Sequence, residues 1–561
     1  MASALDNQQH DALSALFASY ARSDAPGVVV GIARHGKALY RRAFGMASLE
    51  HARALTTATR LRIGSISKQF TCLAALLLGE DGRLDIDAPI GLYLPELPPA
   101  AGAPTLRQLM SHRGGQRCSL DLAMLTQGLT VSPRGISLAA QLRQREANFP
   151  PGERMMYSNG GYHLLSIAIE RASCMPFDAF LQTRIFAPMR MVDTASIPND
   201  MTIVPGVATL HMSDGQGGFQ RGIFPSMEIL GEGAIISTLD DMLRWTAHAR
   251  GDKIIGNADT WRQMLAMPVF SSGQRSQYAL GLKQNIYRGI ELTHHSGGVA
   301  GGTAQMMFSQ VHGLDIVLLS NGAVDAPGEL ARRVVDIMLA DQLSGNGPPL
   351  PARAVAHAAR LGSYRSTRSD AIYTLGDHNG ALVLTGFLCP ALPLPLYAAE
   401  NAEHDVEIEA SSDGAIAVRW GSPDTPGDLS KISIVHCGHA ELFERLGEAP
   451  TLNSHVIAAL RGSFESHDAN ARATIDMERE ELVLRMHGAA GGCDYRLIPL
   501  ADKVFGLFPS DPLGLMTGLV TLTQNVANAE INGFRIDTRR TRRVAFTRVD
   551  TNTWNVSNPL I

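Results

Sequence analysis

Ile63-Gly64-Ser65-Ile66-Ser67-Lys68-Gln69-Phe70-Thr71-Cys72 is the stretch that decides the fold. An extended approach gives way here to apolar residues at helical spacing, Phe70, Leu73, Ala74 and Leu77. Ser65 and Lys68 stand three positions apart, so a helix would carry both side chains on one face. A serine hydroxyl is a weak nucleophile at neutral pH; an adjacent amine activates it by taking its proton or favouring its alkoxide. If Ser65 opens the helix, its backbone N–H is one of the donors that a first turn leaves unpaired, available to a developing oxyanion. Ser-x-x-Lys alone also describes an ordinary solvated helix start, so partners elsewhere must carry the reading.

The 561 residues are enough for about three domains, and 45% hydrophobic against 18% charged residues describes a core-forming protein. A net charge of −5 offers no field for a polyanion, which argues against nucleic acid as a partner. No apolar run reaches the ~18 residues of a membrane span. The start, Met1-Ala2-Ser3-Ala4-Leu5-Asp6, lacks the basic and apolar regions of a secretory signal, so a cytoplasmic location is expected. Cys72, Cys118, Cys174, Cys389, Cys437 and Cys493 form no Cys-x-x-Cys pair and read as reduced thiols, mostly buried. No cluster has metal-ligand spacing, and no cofactor is expected.

Outward from Ser65, residues 8–22 read as an amphipathic helix. Gly27–Ala33 and Ala38–Gly45 read as strands joined by a turn at His35-Gly36-Lys37. Helices are expected from Thr105 to Met110, over 138–146, over 161–172 and from Gly328 to Gln342, with strands at 302–308 and 314–320. Strands at both ends of a helical middle suggest one mixed domain, 1–343, whose sheet both ends complete. Gly and Pro residues over Leu343–Pro351 mark a linker, set at 344–352. Beyond it, alternating runs such as Ala381–Leu384 and Glu481–Met486 have all-β texture. Gly362-Ser363-Tyr364-Arg365-Ser366 is echoed 100 positions later by Gly462-Ser463-Phe464-Glu465-Ser466. That spacing suits two small barrels, 353–450 and 451–561. Arg535, Arg539, Arg540, Arg542 and Arg543 read as a solvated strand face.

Two further motifs supply what Ser65 needs. Tyr157-Ser158-Asn159 follows Phe149-Pro150-Pro151-Gly152, which prevents a helix, so Tyr157 is expected on a loop just before one. Beside a cation a phenol favours its phenolate and becomes a plausible base. Asn159 offers an amide for the lysine or for a substrate carbonyl. In His294-His295-Ser296-Gly297-Gly298, a strand carrying His295 would wall a cleft. Gly297 and Gly298 would let a substrate backbone lie close, and the Gly298 N–H would be a second oxyanion donor.

Together, Ser65-x-x-Lys68, Tyr157-x-Asn159 and His295-x-Gly297 resemble the serine β-lactamase and penicillin-recognising family, in particular its class C β-lactamase, esterase and D-aminopeptidase branch. Thr105–His112, Arg184–Met189 and Gly231–Thr238 match as well, so the likeness spans residues 10–340. It implies an α/β domain with an antiparallel sheet and a helical lobe, Ser65 as acylated nucleophile, and Lys68 and Tyr157 sharing its proton, with either as first base. It also implies an oxyanion hole from the Ser65 and Gly298 N–H groups. His295 stands where many relatives have a lysine that holds a substrate carboxylate. A mostly neutral histidine weakens that pull, so β-lactamase and D-Ala-D-Ala carboxypeptidase readings lose ground. The same branch includes enzymes with two antiparallel barrels behind the catalytic domain and a loop from the last barrel reaching the substrate's amino group. Here the matching hairpin is Met486–Asp494, with Gly488, Gly491 and Gly492 in it and Asp494 able to pair an ammonium.

The expected function is a serine peptidase or amidase releasing N-terminal D-amino acids from small amides or short peptides. A carboxylesterase or another amide hydrolase on the same machinery is the alternative. A binding protein on an inactive scaffold is disfavoured because Ser65, Lys68, Tyr157 and His295 are all retained. The sequence leaves monomer and homodimer both open.

Overall fold

The computed structural model describes residues 5–549 apart from 252, 323, 325, 346, 348, 349, 370, 387–393, 399–407, 411–415, 423, 424, 427, 437, 438, 451–453, 512–515 and 526–529. Cys389, Cys437 and three residues of the expected linker lie outside the described residues. Two compact units emerge. One comprises Met1–Pro95, Ala103–Gly114 and Gly161–Pro348; the other comprises Glu96–Gly102, Gly115–Gly160 and Pro349–Ile561.

The first unit is built on a six-stranded antiparallel sheet: β1 (Val28–Arg34), β2 (Lys37–Phe44), β3 (Lys283–Tyr287), β4 (Ile290–Val299), β5 (Gly302–Ser309) and β6 (Leu314–Ser320), in the order β3-β4-β5-β6-β1-β2. β1 pairs with β6, Ile32 opposite Ile316, so both ends of the domain complete one sheet, as the strand pattern predicts. His35 and Gly36, at φ +50° and +77°, make the two-residue turn whose twist suits a hairpin. β1 is apolar on both faces because both are covered.

The helices of this unit are α1 (Asn7–Phe17), α2 (Ser67–Glu80), α3 (Leu106–Met110), α4 (Asn159–Ser173, its first two residues in the second unit), α5 (Leu239–Arg250) and α6 (Pro327–Met338). Leu13 and Phe17 of α1 and Leu330, Val334 and Val335 of α6 pack on Val28, Val30, Ile32 and Ile316. On the other face, a Cβ at Gly31 would lie 2.5 Å from Leu239 Cδ1, so the glycine lets α5 settle on the sheet. α2 is clamped to α5: Phe70 and Trp245 rings are 4.1 Å apart, and Trp245 Nε1 donates to Gln69 Oε1 at 2.9 Å. At the start of α3, Thr105 and Gln108 form a reciprocal capping box, which is why the helix begins there.

In the second unit, eight strands from Gly462–Ser466 to Val544–Val549 close into a barrel. Its core, with Phe464, Leu484, Met486, Tyr495 and Phe534, also takes Leu122 and Leu125 from the helix Ser119–Gln127. The preceding strands, Gly362–Ser366 to His439–Arg445, form a sheet whose Ile408–Ala410 pairs back to Ile416–Val418. The five-residue repeat opens both: Gly362 faces Leu375 as Gly462 faces Ile475, and Tyr364 and Phe464 are fully buried. The likeness extends to a last-strand arginine. Arg445 donates to the carbonyls of Ala359 (2.8 Å) and Leu361 (2.6 Å), and Arg548 to those of Ala459 and Arg461. Each arginine thus satisfies carbonyls left open by the short helical segment before the first strand.

The arginine run at 535–543 is not a solvated strand face. Arg535 is exposed on its strand, but Arg542 is 9% exposed. The turn around it is knit to segment 115–160: Arg542 N donates to Asn148 Oδ1 at 2.8 Å, and Arg543 Nη2 to Ala147 O at 2.8 Å. Arg117 donates to the carbonyls of Arg542 (2.8 Å) and Arg543 (3.0 Å), and its guanidinium meets Asp468 at 2.6 Å. Cys72 and Cys118 are buried, Cys174 is exposed and Cys493 is half-buried, all four as free thiols. Among the described residues no helix is long and apolar enough to cross a membrane, and no group of side chains could hold a metal.

Candidate active site

Ser65 does not open the α-helix itself. Gly64–Ile66 form a 3-10 turn, and α2 begins at Ser67. The tighter turn is forced by a close approach. Gly64 has φ +51°, and a Cβ on it would lie 2.7 Å from Gly298 N. Lys68, one turn along, is fully buried. Its Nζ lies 3.1 Å from Ser65 Oγ, donates to Glu232 O at 2.6 Å, and sits 5.2 Å from the centre of the Tyr162 ring. An amine at this distance from a hydroxyl can take up or hold its proton.

Glu232 is itself fixed. Its carboxylate accepts from Leu230 N at 3.1 Å and meets His163 Nδ1 of α4 at 3.1 Å, with the His163 and Glu232 side chains 2% and 5% exposed. Burial opposes charge on His163, but the Glu232 carboxylate outweighs it and raises the imidazole above its usual pKa. Ser166 Oγ receives Gly231 N, and Thr71 Oγ1 donates to Gly231 O, both at 2.9 Å, so the same loop is pinned to α4 and α2.

β4 brings His295, Gly297 and Gly298 to the Ser65 turn. Burial, then the neighbouring Lys283 and Lys68, hold His295 well below the usual histidine pKa, so its ring is neutral. Nδ1 lies 2.6 Å from the Ser296 carbonyl, which can only accept, so Nδ1 carries the proton. Nε2 then accepts from the Tyr278 hydroxyl at 2.9 Å. The two glycines differ in use. A Cβ at Gly297 would lie 1.9 Å from Ile63 O, so its space is taken by the Ser65 turn and not by a substrate; at Gly298 nothing lies within 4 Å.

The other expected residues belong to the second unit. Tyr157 lies in the non-helical stretch before α4, and its ring faces the Arg540 guanidinium at 4.9 Å. Asn159 is the buried first residue of α4. Asp494 is about half exposed, 3.6 Å from Arg485 of the paired strand, whereas Tyr495 turns inward and donates to Leu125 O. The hairpin tip rests on segment 126–130: Cβ atoms at Gly488 and Gly491 would lie 2.5 Å from Gln127 Cγ and 3.0 Å from Gln127 O. The structure therefore gathers Ser65, Lys68, His295, Gly297 and Gly298 in one unit, and Tyr157, Asn159 and Asp494 in the other.

Sequence reasoning missed the groups behind this cluster. Glu232 and His163 carried one usable signal, since His163 follows Asn159 by four residues on the expected helix. Tyr278, whose ring is tilted against that of His112 with centres 4.6 Å apart, sits in no motif.

The Beta-lactamase family model matches residues 13–339. A D-aminopeptidase of Brucella canis is 29% identical over 372 residues, covering 64% of this chain and 68% of that one. Among solved structures, an octameric penicillin-binding protein homologue from Pyrococcus abyssi aligns with TM-score 0.55 and 22% identity, over 78% of this chain and 99% of that one. A D-amino acid amidase from Ochrobactrum anthropi SV3 aligns with TM-score 0.51 and 24% identity, over 59% of this chain and 99% of that one. At those identities the two structures speak to the fold. The family match runs from α1 through α6 and takes in the Ser65 turn, Lys68 and β4, and on it the chain is a serine hydrolase belonging to the Beta-lactamase family.

Proposed function

We propose that the enzyme is an aminopeptidase or amidase that removes N-terminal D-amino acids through an acyl-enzyme on Ser65. The observation that carries this is the 3.1 Å contact between Ser65 Oγ and Lys68 Nζ, on a turn packed against the backbone of Gly297 and Gly298. Ser65 Oγ attacks the substrate carbonyl carbon while its proton passes to the Lys68–Tyr157 pair. The oxyanion is taken by the N–H groups of Ser65 and Gly298. Tyr157 returns the proton to the departing amine, and a water activated by the same pair hydrolyses the ester. Asn159 holds the lysine or the substrate carbonyl, and Asp494 pairs the substrate's free ammonium.

Two observations support an amino-terminal substrate. The neutral His295 offers no cation to a carboxylate, which removes the advantage of penicillins and of D-Ala-D-Ala ends. The curated Brucella relatives carry the name D-aminopeptidase. The test is hydrolysis of D-Ala-p-nitroanilide against its L and N-acetylated counterparts, with short p-nitrophenyl esters alongside. Preference for the D form with a free amino group is expected. Equal rates on the N-acetylated compound would overturn the aminopeptidase reading, and turnover of esters alone would make the enzyme an esterase.

A further inference from the structure

Arg540 takes no part in the chemistry set out above, yet it is turned inward. It lies on the turn between the barrel strands Ile531–Thr538 and Val544–Val549, with its guanidinium carbon 4.9 Å from the centre of the Tyr157 ring. Its Nε is buried and makes no hydrogen bond among the described residues. A guanidinium that gives up hydration at Nε to lie over an aromatic face is acting through its charge and its plane. The main chain around it fixes this arrangement. Arg540 O accepts from Asn148 Nδ2 at 3.1 Å and Cys118 N at 3.4 Å. Asn148 Nδ2 also touches Met156 Sδ, the residue before Tyr157, at 3.1 Å. Asp121, buried on the helix Ser119–Gln127, is a nearby carboxylate; burial raises its pKa, countered first by Arg540, then by hydrogen bonds from Thr538 and Thr541, and last by Arg539.

A cation over a phenol ring stabilises the phenolate more than the phenol, because the full negative charge is delocalised into the ring it faces. We propose that Arg540 is a positioning residue for the base: it holds the Tyr157 ring and favours its deprotonated form, so that a turn of the C-terminal barrel tunes proton transfer. This rests on Tyr157 being a base in the reaction. The charged group seated on the ring is Arg540, and the charges coupled to it within the second unit are Asp121 and, through Asp121, Arg539.

The experiment measures the rate of Ser65 labelling by a fluorophosphonate probe against pH, in the full chain, for wild type, Arg540→Met, Arg540→Lys and Tyr157→Phe. In wild type the rate climbs with pH as the base loses its proton. Arg540→Met is expected to move that climb upward by about one pH unit, with labelling about ten-fold slower below it and equal to wild type above it. Arg540→Lys restores most of the shift, since an ammonium also binds the ring face. A uniform loss at every pH, or no change, overturns the inference. If Arg540→Met does not fold, Arg540→Gln replaces it, because the bonds to Arg540 O and Asn148 need no particular side chain. Wild-type labelling in Tyr157→Phe removes the tyrosine from the mechanism whatever Arg540 does. Loss of labelling there with an unmoved profile in Arg540→Met removes Arg540 alone.

Discussion

Gly297→Ala tests the packing that holds the Ser65 turn against β4. A Cβ at Gly297 would stand 1.9 Å from the Ile63 carbonyl oxygen, which belongs to the residue entering the turn. Carbon and oxygen in close contact settle at about 3.3 Å, so the turn or the strand must move by about 1.4 Å. A displacement of ~1 Å at a reacting group is enough to lower a rate about 10²-fold. Gly298→Ala is the built-in control, since nothing lies within 4 Å of its added methyl group. Both variants would be compared by fluorophosphonate labelling of Ser65, with near-ultraviolet circular dichroism to check the fold. Gly297→Ala is expected to label at least about 10²-fold more slowly and Gly298→Ala within a few-fold of wild type. Wild-type labelling of Gly297→Ala would refute the claim that this contact positions the nucleophile turn.

Glu232→Gln removes the charge facing His163 at 3.1 Å and is expected to destabilise the protein by about 1–3 kcal/mol, read as a lower melting temperature at pH 6. The sign of its pH dependence follows from the raised His163 pKa. Stability from this pair is fully present below the unfolded histidine pKa of ~6.5 and is lost as pH rises through the folded value, so the gap to the variant should narrow at alkaline pH. His295→Lys is expected to speed acylation by benzylpenicillin and slow turnover of D-Ala-p-nitroanilide, measured as kcat/KM; unchanged selectivity would mean that the neutral ring does not set it. Arg117→Met leaves the Asp468 carboxylate without the guanidinium 2.6 Å away and is expected to lower stability by about 3–5 kcal/mol, checked by calorimetry.

What was legible in the sequence was local or periodic. The Ser65–Lys68 spacing survives even though a 3-10 turn replaces the expected first turn of the helix, because three residues bring side chains to one side in either geometry. β1 and β6 announce themselves through the apolar runs Val28–Ala33 and Ile316–Leu319, and the Thr105 capping box marks the start of its helix. The repeat at 362 and 462 was visible as five residues, but the arginines that complete it, Arg445 and Arg548, lie far along each strand series and share no local pattern. The contacts that tie Arg117 and Asn148 to the turn at 540–543 join positions nearly 400 residues or more apart. Composition alone therefore made those arginines look solvated. Tyr278 was invisible for a different reason: it lies only 17 residues from His295, but no local pattern marks the hydrogen bond that it makes there.

The most direct measurement is peptide mapping of the enzyme quenched during turnover or after fluorophosphonate treatment. The adduct is expected on the peptide containing Ser65 and on no other, and Ser65→Ala should fold normally and take up none. An adduct at a different serine, or undiminished amide hydrolysis by Ser65→Ala, would contradict the account.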